Sequence, residues 1–408
     1  MEWLSPDCKH RCTSVVRLTK HLTETLPDSI LSGFGAERKQ FPPKPFGKTS
    51  KSLAISIFHL ADRLSVCPNT AMRNTFAKRL PLAALLLGLF PGIVHSAENP
   101  FIGDWELTIP GGHAGWLGVD QSGDKLSAGM LWGWGSVEPT ASAKLSDGKL
   151  VVTRLHNIET KDASGAKRKV TLTETITATL DGSNMKLVSI KERENSNGAD
   201  RAEFTGKRTA PMPEAPDLKS VKFGPPIQLF NGKDTSGWRL TDPGAVNGWS
   251  AKDGLLVNNP HQEDGKPHLN YGNLRTEGEF EDFRLKLEVR LAKGGNSGVY
   301  LRGIYEVQVA ETYGKPLDSH NMGGLYSRIK PAVSAEKPPG EWQTMDITLV
   351  KRHLTVILNG KTLIANQPVR GCTGGALWSD VSRPGPLYLQ GDHTGVEYRN
   401  ISVTPVLP

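Results

Sequence analysis

Apolar and polar residues alternate with a period of two over long stretches of the chain, which is the pattern of β-strands with one buried face. The longest such stretch, 170–180, ends at an Asp-Gly pair that is typical of a tight turn. A second clear case is 354–364, where an Asn-Gly pair between two apolar runs favours a type I′ hairpin. Beyond residue 97 no helical period of comparable length interrupts this pattern, so we predict an all-β protein.

The alternating segments fall into two regions that are separated by a proline-rich segment. Residues 98–208 contain evenly spaced strand-like runs, which predict a small antiparallel β sandwich or an open barrel. Residues 209–226 contain five prolines in eighteen positions, too many for a sheet interior, and are interpreted as a semi-rigid linker. The strand and turn signals of 227–405 suit a two-sheet jelly-roll sandwich.

A short hydrophobic segment within the first hundred residues has the features of a secretory signal peptide. Basic residues follow Met72, and an apolar run covers 82–90. This run is about half of the roughly 20 residues that a membrane-spanning helix needs. We therefore interpret 72–97 as a signal peptide and expect the mature protein in the periplasm or outside the cell. Since signal peptides begin chains, we expect Met72 to be the true start and 1–71 to be a disordered upstream extension.

The formal net charge is +7, but the excess lies entirely in this leader. Residues 1–97 hold 13 basic and 6 acidic residues, whereas residues 98–408 hold 36 of each. A folded part without net charge lacks the basic footprint of a nucleic-acid-binding or membrane-surface protein. We therefore predict no nucleic-acid partner and no stable membrane insertion after signal cleavage.

Four tryptophans of the first region allow two interpretations, which are core packing and stacking on sugar rings. They are Trp105, Trp116, Trp132 and Trp134. Because buried tryptophans commonly fill cores and close barrel ends, core packing is the simpler expectation, and the sequence leaves both open.

Polar and aromatic residues share one face of three predicted strands in the second region. With a period of two, the following fall on that face: Asn296, Gly298, Tyr300 and Arg302; Glu306 and Gln308; Tyr388, Gln390 and Asp392. Planar polar and aromatic groups on a curved sheet suit the recognition of a hydroxylated ring such as a sugar. The alternative is an ordinary solvated sheet face.

Seven motifs of this region, in one order, resemble the 3-keto-disaccharide hydrolase domain family. They are LFNGKDTSGW (229–238), DFRLKLEVRL (282–291), GNSGVYLRG (295–303), YEVQ (305–308), PPGEWQTMDIT (338–348), LNGK (358–361) and GPLYLQGDHTGVEYRNISV (385–403). The resemblance covers about 227–405. It implies a concanavalin A-like jelly roll in an exported bacterial enzyme that acts on a carbohydrate substrate.

The implied reaction is cleavage of a 3-keto-glycoside by C2 proton abstraction, elimination and hydration. On this basis we expect Glu306 to be the base or a metal ligand, and Arg302 to hold the enolate or a sugar oxygen. His393 and His320 are further acid or base candidates, because histidine titrates near neutrality. The expected substrate-binding residues are Asn296, Tyr300, Gln308, Trp342, Gln390 and Asp392.

A divalent metal ion is a possible cofactor, with Glu306, Glu311 and Asp392 as candidate ligands. The family commonly has Asp at the position of Glu311. Two other functions fit the same fold. A retaining glycosidase would need a bulge that brings Glu306 and Glu311 to one face, and Gln308 replaces the Asp expected between them. A non-catalytic glycan-binding module is the third interpretation.

Overall fold

The computed structural model describes residues 99–161, 165–194 and 198–408. The predicted upstream extension and signal peptide lie outside these residues. The described residues contain strands and loops and no helix, which confirms the all-β prediction. Accordingly, none of them forms a helix with the length and hydropathy needed to span a membrane.

The described residues form twenty-two strands, which are arranged in three sheets. They are β1 (Gly103–Ile109), β2 (His113–Ser122), β3 (Lys125–Trp132), β4 (Glu138–Pro139), β5 (Ser142–Ser146), β6 (Lys149–Lys161), β7 (Lys167–Asp181), β8 (Asn184–Glu192), β9 (Ala199–Arg208), β10 (Ile227–Gln228), β11 (Trp238–Leu240), β12 (Trp249–Lys252), β13 (Leu255–Asn258), β14 (Leu274–Thr276), β15 (Phe283–Leu291), β16 (Asn296–Leu301), β17 (Tyr305–Ala310), β18 (Gln343–Val350), β19 (His353–Leu358), β20 (Lys361–Pro368), β21 (Tyr388–Leu389) and β22 (Val396–Pro405).

Strands β1 to β9 form a closed antiparallel barrel. Each strand pairs with its neighbour in the chain, and β1 also pairs with β9. Closure on the other side comes from β4 and β5, which act as one bent strand. β4 pairs with β3 and β5 pairs with β6, while the Thr140 N–H bonds to Ala128 O and the Ala141 N–H to Thr153 O. The sequence predicted an open barrel or a sandwich, whereas this bent strand removes the free edges.

Inward-facing residues of alternating strands fill the barrel. Leu172, Ile176 and Ala178 of β7 are buried, as the alternation predicted. Glu174 also points inward, where it accepts hydrogen bonds from Ser189 and Arg154. The barrel core includes Phe101, Trp105, Leu107, Leu117, Val119, Met130, Leu150, Val152, Met185, Leu187 and Phe204.

The second region is a two-sheet sandwich. An eight-stranded sheet has the order β12-β13-β22-β15-β18-β19-β20, with β10 paired to β22, and a five-stranded sheet has the order β11-β14-β21-β16-β17. Apolar side chains of both sheets share one core, for example Leu285 and Ile347 of the larger sheet with Val299 and Val307 of the smaller. The predicted jelly-roll class is in agreement with this arrangement.

The barrel packs firmly against the sandwich. Trp116 points out of the barrel into the sandwich core cluster, and the guanidinium of Arg328 lies 4.3 Å from its ring centroid. A Cβ at Gly371 would lie 2.1 Å from the same ring, so only glycine permits this approach. Arg370 of the sandwich forms ion pairs with Asp104 and Asp120 of the barrel.

Candidate active site

A pocket of about 190 Å³ opens on the outer face of the five-stranded sheet. In β16, β17 and β21, alternate apolar residues such as Val299, Val307 and Leu389 point into the core, so the residues between them face the pocket. The pocket is lined by Trp134, Gly135, Asn273, Asn296, Tyr300, Glu306, Gln308, Tyr326, Gly374, Gly375, Tyr388, Gln390, Asp392 and His393.

Glu306 is the central titratable group of this pocket. It is only 4% exposed, and its burial raises the pKa of its carboxyl to about 8. Its side chain lies over Gly298, where an added Cβ would be 2.4 Å from Glu306 Oε1. Because Gly298 has no side chain, the Glu306 carboxyl can lie directly over it in the β16–β17 hairpin. A carboxyl that titrates near neutrality can both take up and release a proton at physiological pH.

Two stacked tyrosines form one wall of the site. The ring centroids of Tyr300 and Tyr388 are 3.8 Å apart with an interplanar angle of 15°. Tyr300 Oη lies 2.8 Å from Glu306 Oε2 and 2.7 Å from Gly374 O, and Tyr388 Oη donates to Gly375 O at 2.6 Å. Burial raises the pKa of both phenols well above its usual value, so both remain neutral hydrogen-bond donors.

His393 and Asp392 form a second acid–base pair at the pocket. The atoms His393 Nδ1 and Asp392 Oδ1 are 3.1 Å apart. The hydrogen bond to Asp392 raises the pKa of His393, and the charge of Glu306 acts in the same direction. Both side chains are about two-fifths exposed, so this pair can exchange protons with solvent more readily than Glu306.

Two side-chain amides in the pocket have unused hydrogen-bonding capacity. Asn296 Oδ1 and Gln390 Oε1 are buried, and no described residue donates to either atom. A buried polar atom without a partner costs roughly 1–3 kcal/mol, which a polar ligand can recover. Gln308 also lines the pocket, although its Oε1 accepts a bond from the Val309 N–H. These groups suit a ligand with several hydroxyls.

The predicted site residues divide into two sets. The structure brings together Asn296, Tyr300, Glu306, Gln308, Gln390, Asp392 and His393. It does not bring Arg302 to them. Arg302 lies past the end of β16 in a left-handed turn conformation (φ 53°), which directs its side chain away from the expected face. Its guanidinium bonds to the carbonyl oxygens of Val381 and Arg383.

Trp342 and His320 also lie outside the pocket lining. Trp342 is stacked by the guanidinium groups of Arg290 and Arg399, at 4.7 and 4.0 Å from its ring centroid. These arginines belong to the larger sheet, so Trp342 has a packing role there. His320 touches the site indirectly, since its ring packs edge-on against Tyr326 of the pocket wall.

Sequence reasoning missed the pocket residues that loops supply. Tyr326 and Asn273 come from loops of the sandwich, and Gly374 and Gly375 contribute mainly their backbone. Trp134 comes from the barrel, and it is one of the four tryptophans for which the sequence leaves both core packing and stacking on a sugar open. Of the four tryptophans, Trp105 and Trp132 pack on the barrel core and Trp116 on the sandwich core, whereas Trp134 is 67% exposed.

The candidate metal ligands do not converge. Glu306 and Asp392 line the pocket, but Glu311 lies beyond the end of β17, where its Oε2 accepts a hydrogen bond from the Gly294 N–H. Glu311 follows Ala310, the last paired residue of the β16–β17 hairpin, and it does not line the pocket, whereas Glu306 does. The described residues contain no group of three His, Cys, Asp or Glu side chains arranged to hold a metal ion. The pocket likewise lacks the pair of carboxylates that a retaining glycosidase would need, since Glu306 lines it and Glu311 does not.

Comparison with known families agrees with this site. Residues 225–404 match the sequence model of the 3-keto-alpha-glucoside-1,2-lyase-like domain. This part of the chain is similar to that family and is called the lyase-like domain below. It contains every residue of the pocket lining except Trp134 and Gly135, which the barrel supplies.

One curated relative and two solved structures are similar to this chain. The relative, a 3-keto-disaccharide hydrolase of Bacteroides thetaiotaomicron, is 27% identical over 152 residues, which are 31% of this chain and 52% of the relative. The chain thus matches about half the length of that protein. Two Parabacteroides distasonis proteins described as glycosyl hydrolases are 22% and 24% identical, with TM-scores of 0.35 and 0.33. Their matches cover 45% and 44% of this chain, and 94% and 98% of theirs.

Proposed function

We propose that this protein cleaves 3-keto-glycosides, 3-keto-disaccharides among them, by elimination followed by hydration. The observation that carries the proposal is the buried Glu306, whose carboxyl titrates near pH 8 within a pocket lined by amides and phenols. The family of the domain and the activity named for the curated relative support it. We further propose that the protein acts in the periplasm or outside the cell, after removal of the signal peptide.

The chemistry begins with the ketone at C3, which acidifies the hydrogen on C2. A base takes this proton, and the electron pair of the C2–H bond forms an enolate on the C3 oxygen. The enolate then re-forms the ketone, a C1–C2 double bond appears, and the C1–O bond breaks. The leaving oxygen takes a proton and departs as an alcohol. Water finally adds its hydroxyl to C1 and a proton to C2, so the net change is hydrolysis.

Glu306 is suited to remove the C2 proton. A carboxylate whose conjugate acid has a pKa near 8 is a much stronger base than an ordinary one, and its pKa lies close to the operating pH. Tyr300 holds Glu306 Oε2 by a hydrogen bond, which leaves the other carboxylate oxygen for the substrate. The same group can return the proton to C2 during hydration.

His393 is suited to protonate the leaving oxygen. Asp392 favours the charged imidazolium, which is the form that can donate. The buried oxygens of Asn296 and Gln390 have no partner among the described residues, so they would accept hydrogen bonds from the hydroxyls next to the reacting carbons. Every one of these groups belongs to the chain itself.

The first experiment compares substrates. The full-length protein would be incubated with 4-nitrophenyl 3-keto-glucoside and with 4-nitrophenyl glucoside, in both anomeric forms and with and without EDTA. Release from the keto compound alone supports elimination, and EDTA sensitivity would reveal a metal requirement. Release from the plain glucoside would favour a glycosidase, and binding without release would favour a glycan-binding module.

The second experiment follows the C2 proton. In deuterium oxide, elimination and hydration place solvent deuterium on C2 of the released 3-keto-sugar, whereas displacement at C1 leaves C2 untouched. Mass spectrometry of rapidly quenched product would therefore show an increase of one mass unit. Glu306→Gln should abolish both release and incorporation, and Glu277→Gln, which changes an exposed carboxyl outside the pocket to an amide, would serve as the control. Because Glu306 could return the proton that it removed, product without deuterium contradicts the proposed mechanism only if substrate with deuterium at C2 also shows no kinetic isotope effect.

A further inference from the structure

The barrel extends one loop to the pocket of the lyase-like domain. Trp134 lies on the loop between β3 and β4, and it lines the pocket together with Gly135. Its side chain is 67% exposed, which is unusual for the largest apolar residue. The ring centroid of His113 lies 5.6 Å from that of Trp134, with an angle of 58° between the ring planes. An exposed, supported indole ring at a pocket rim is a surface on which a ligand can stack.

Hydrogen bonds fasten this loop to the sandwich. The Gly375 N–H donates to Gly133 O at 2.9 Å, and the Val137 N–H donates to Ser327 Oγ at 2.9 Å. Ser136 Oγ and His320 Nε2 are also 2.9 Å apart. The loop is therefore held at both ends, and Trp134 has a defined position relative to the pocket.

The backbone at Gly374 and Gly375 joins the loop directly to the catalytic groups. The carbonyl oxygens of these two glycines accept the hydrogen bonds of Tyr300 and Tyr388. On the other side, a Cβ at Gly374 would lie 2.1 Å from Gly135 O, so the barrel loop packs against its bare backbone. The Gly374–Gly375 segment thus positions both Trp134 and Tyr300, which is the hydrogen-bond partner of Glu306.

We infer that Trp134 forms the binding surface for the leaving sugar of the substrate. This inference rests on the proposed function. The ring that reacts must place C2 at the buried Glu306, deep in a pocket of about 190 Å³. The leaving group must point toward solvent, because it departs first. Trp134 lies at the solvent side of the lining, where the apolar face of a second pyranose ring can cover the indole.

The barrel then determines which leaving groups are preferred. A disaccharide contacts both the lyase-like domain and the barrel, whereas a methyl glycoside contacts only the former. Loss of a stacking surface commonly weakens binding by about tenfold. The expected signature is therefore selective: replacing Trp134 weakens binding of disaccharides and leaves binding of methyl glycosides nearly unchanged.

The test measures binding by calorimetry in full-length protein that carries Glu306→Gln to prevent turnover. The probes are 3-keto-maltose and 3-keto-cellobiose, each against the corresponding methyl 3-keto-glucoside. Trp134→Ala should raise the Kd of at least one disaccharide about tenfold and that of its methyl glycoside by less than about twofold. Trp134→Phe, which keeps an aromatic ring, should restore most of the affinity. Tyr313→Ala, which removes an exposed aromatic ring outside the pocket, is the control.

Equal weakening of both ligand types, or no weakening of either, would overturn the inference. Absence of disaccharide binding by the parent protein would overturn it as well. Failure of the proposed function can be distinguished from failure of this inference. If the wild-type protein does not cleave these compounds but binding still depends selectively on Trp134, the chemistry is refuted and the role of Trp134 stands.

Discussion

The hydroxyl of Tyr300 lies between two acceptors, at 2.8 Å from Glu306 Oε2 and 2.7 Å from Gly374 O. A phenol has one proton and can donate it to only one of them. When Glu306 is protonated, its carboxyl can donate to Tyr300 while Tyr300 donates to Gly374, and the three groups are fully paired. When Glu306 is ionised, Tyr300 must turn to it and Gly374 O loses this donor. The hydrogen bonds are therefore fully paired in the state that burial also favours.

This arrangement predicts how stability depends on pH. Because the pKa of Glu306 is raised from 4.5 to about 8, the folded protein binds a proton that the unfolded chain releases between these values. The contribution of Glu306 to stability is complete below about pH 4.5 and is lost as the pH rises through about 8. Glu306→Gln removes this loss. Its free energy of unfolding relative to wild type should increase by a few kcal/mol from about pH 5 to pH 9.

Urea unfolding at several pH values measures this difference. Glu277→Gln, which removes an exposed carboxyl, is the control and should follow the wild-type curve. The raised pKa of His393 acts in the same direction. The part that comes from Asp392 is present in all three proteins, whereas the smaller part that comes from the charge of Glu306 is lost in Glu306→Gln. A constant offset between Glu306→Gln and wild type across this range would contradict the assigned pKa.

Substitution of Gly298 should reduce activity without a comparable loss of stability. An added Cβ would lie 2.4 Å from Glu306 Oε1, the movable end of a side chain. Gly298→Ala should therefore displace the carboxyl, lowering kcat by about 100-fold, at a cost in stability of about 1–2 kcal/mol. Steady-state kinetics and thermal unfolding would be measured together. In Gly278→Ala the new Cβ meets its nearest neighbour at 3.5 Å, so kcat should stay unchanged. Equal kcat values for Gly298→Ala and Gly278→Ala would contradict the close packing of Glu306 against Gly298.

Much of the fold could be predicted from the alternation of residues. The polar face of β16 and β17 follows from a period of two, because the hairpin register is regular from Asn296 to Ala310. The same rule failed at Arg302, since the strand ends at Leu301 and a positive φ turns the next side chain away. Alternation holds only within a strand, and the sequence did not mark where this strand ends.

The loop contributions could not be predicted in this way. Trp134 lies far from β16 in sequence, and its approach depends on how the barrel packs on the sandwich through Trp116 and Gly371. Closure of the barrel likewise depends on the bent segment 138–146, whose two short pairings are too brief to show a period. Long-range packing of this kind has no local signal.

Replacing Gln390 and Gln343, whose side-chain oxygens differ in their hydrogen bonding, by methionine should change the stability of the protein in opposite directions. Gln390 Oε1 has no partner among the described residues, whereas Gln343 Oε1 accepts from the Lys337 N–H and from Asn359 Nδ2. Gln390→Met removes an unpaired polar atom and should stabilise the protein by about 1 kcal/mol, while it raises KM by about tenfold. Gln343→Met should destabilise the protein by about 1–3 kcal/mol with KM unchanged.

Chemical denaturation and steady-state kinetics of the two variants give these four values. The comparison is matched, because both residues are glutamines in the sandwich and both substitutions conserve shape. If Gln390→Met destabilised the protein as much as Gln343→Met, the amide would have a structural partner, and its assignment to the substrate would be wrong.

Substitutions of Asp392 and of Glu311 can distinguish the elimination mechanism from that of a retaining glycosidase. Asp392 raises the pKa of His393 through their hydrogen bond, so Asp392→Asn should lower that pKa. If His393 is the acid, the pH optimum of kcat/KM then moves to lower pH. Glu311→Gln should leave the profile unchanged, because Glu311 lies outside the pocket and accepts a hydrogen bond from the Gly294 N–H. A retaining glycosidase requires both carboxylates on one face. Loss of activity in Glu311→Gln with an unmoved profile in Asp392→Asn would therefore favour that enzyme class over elimination.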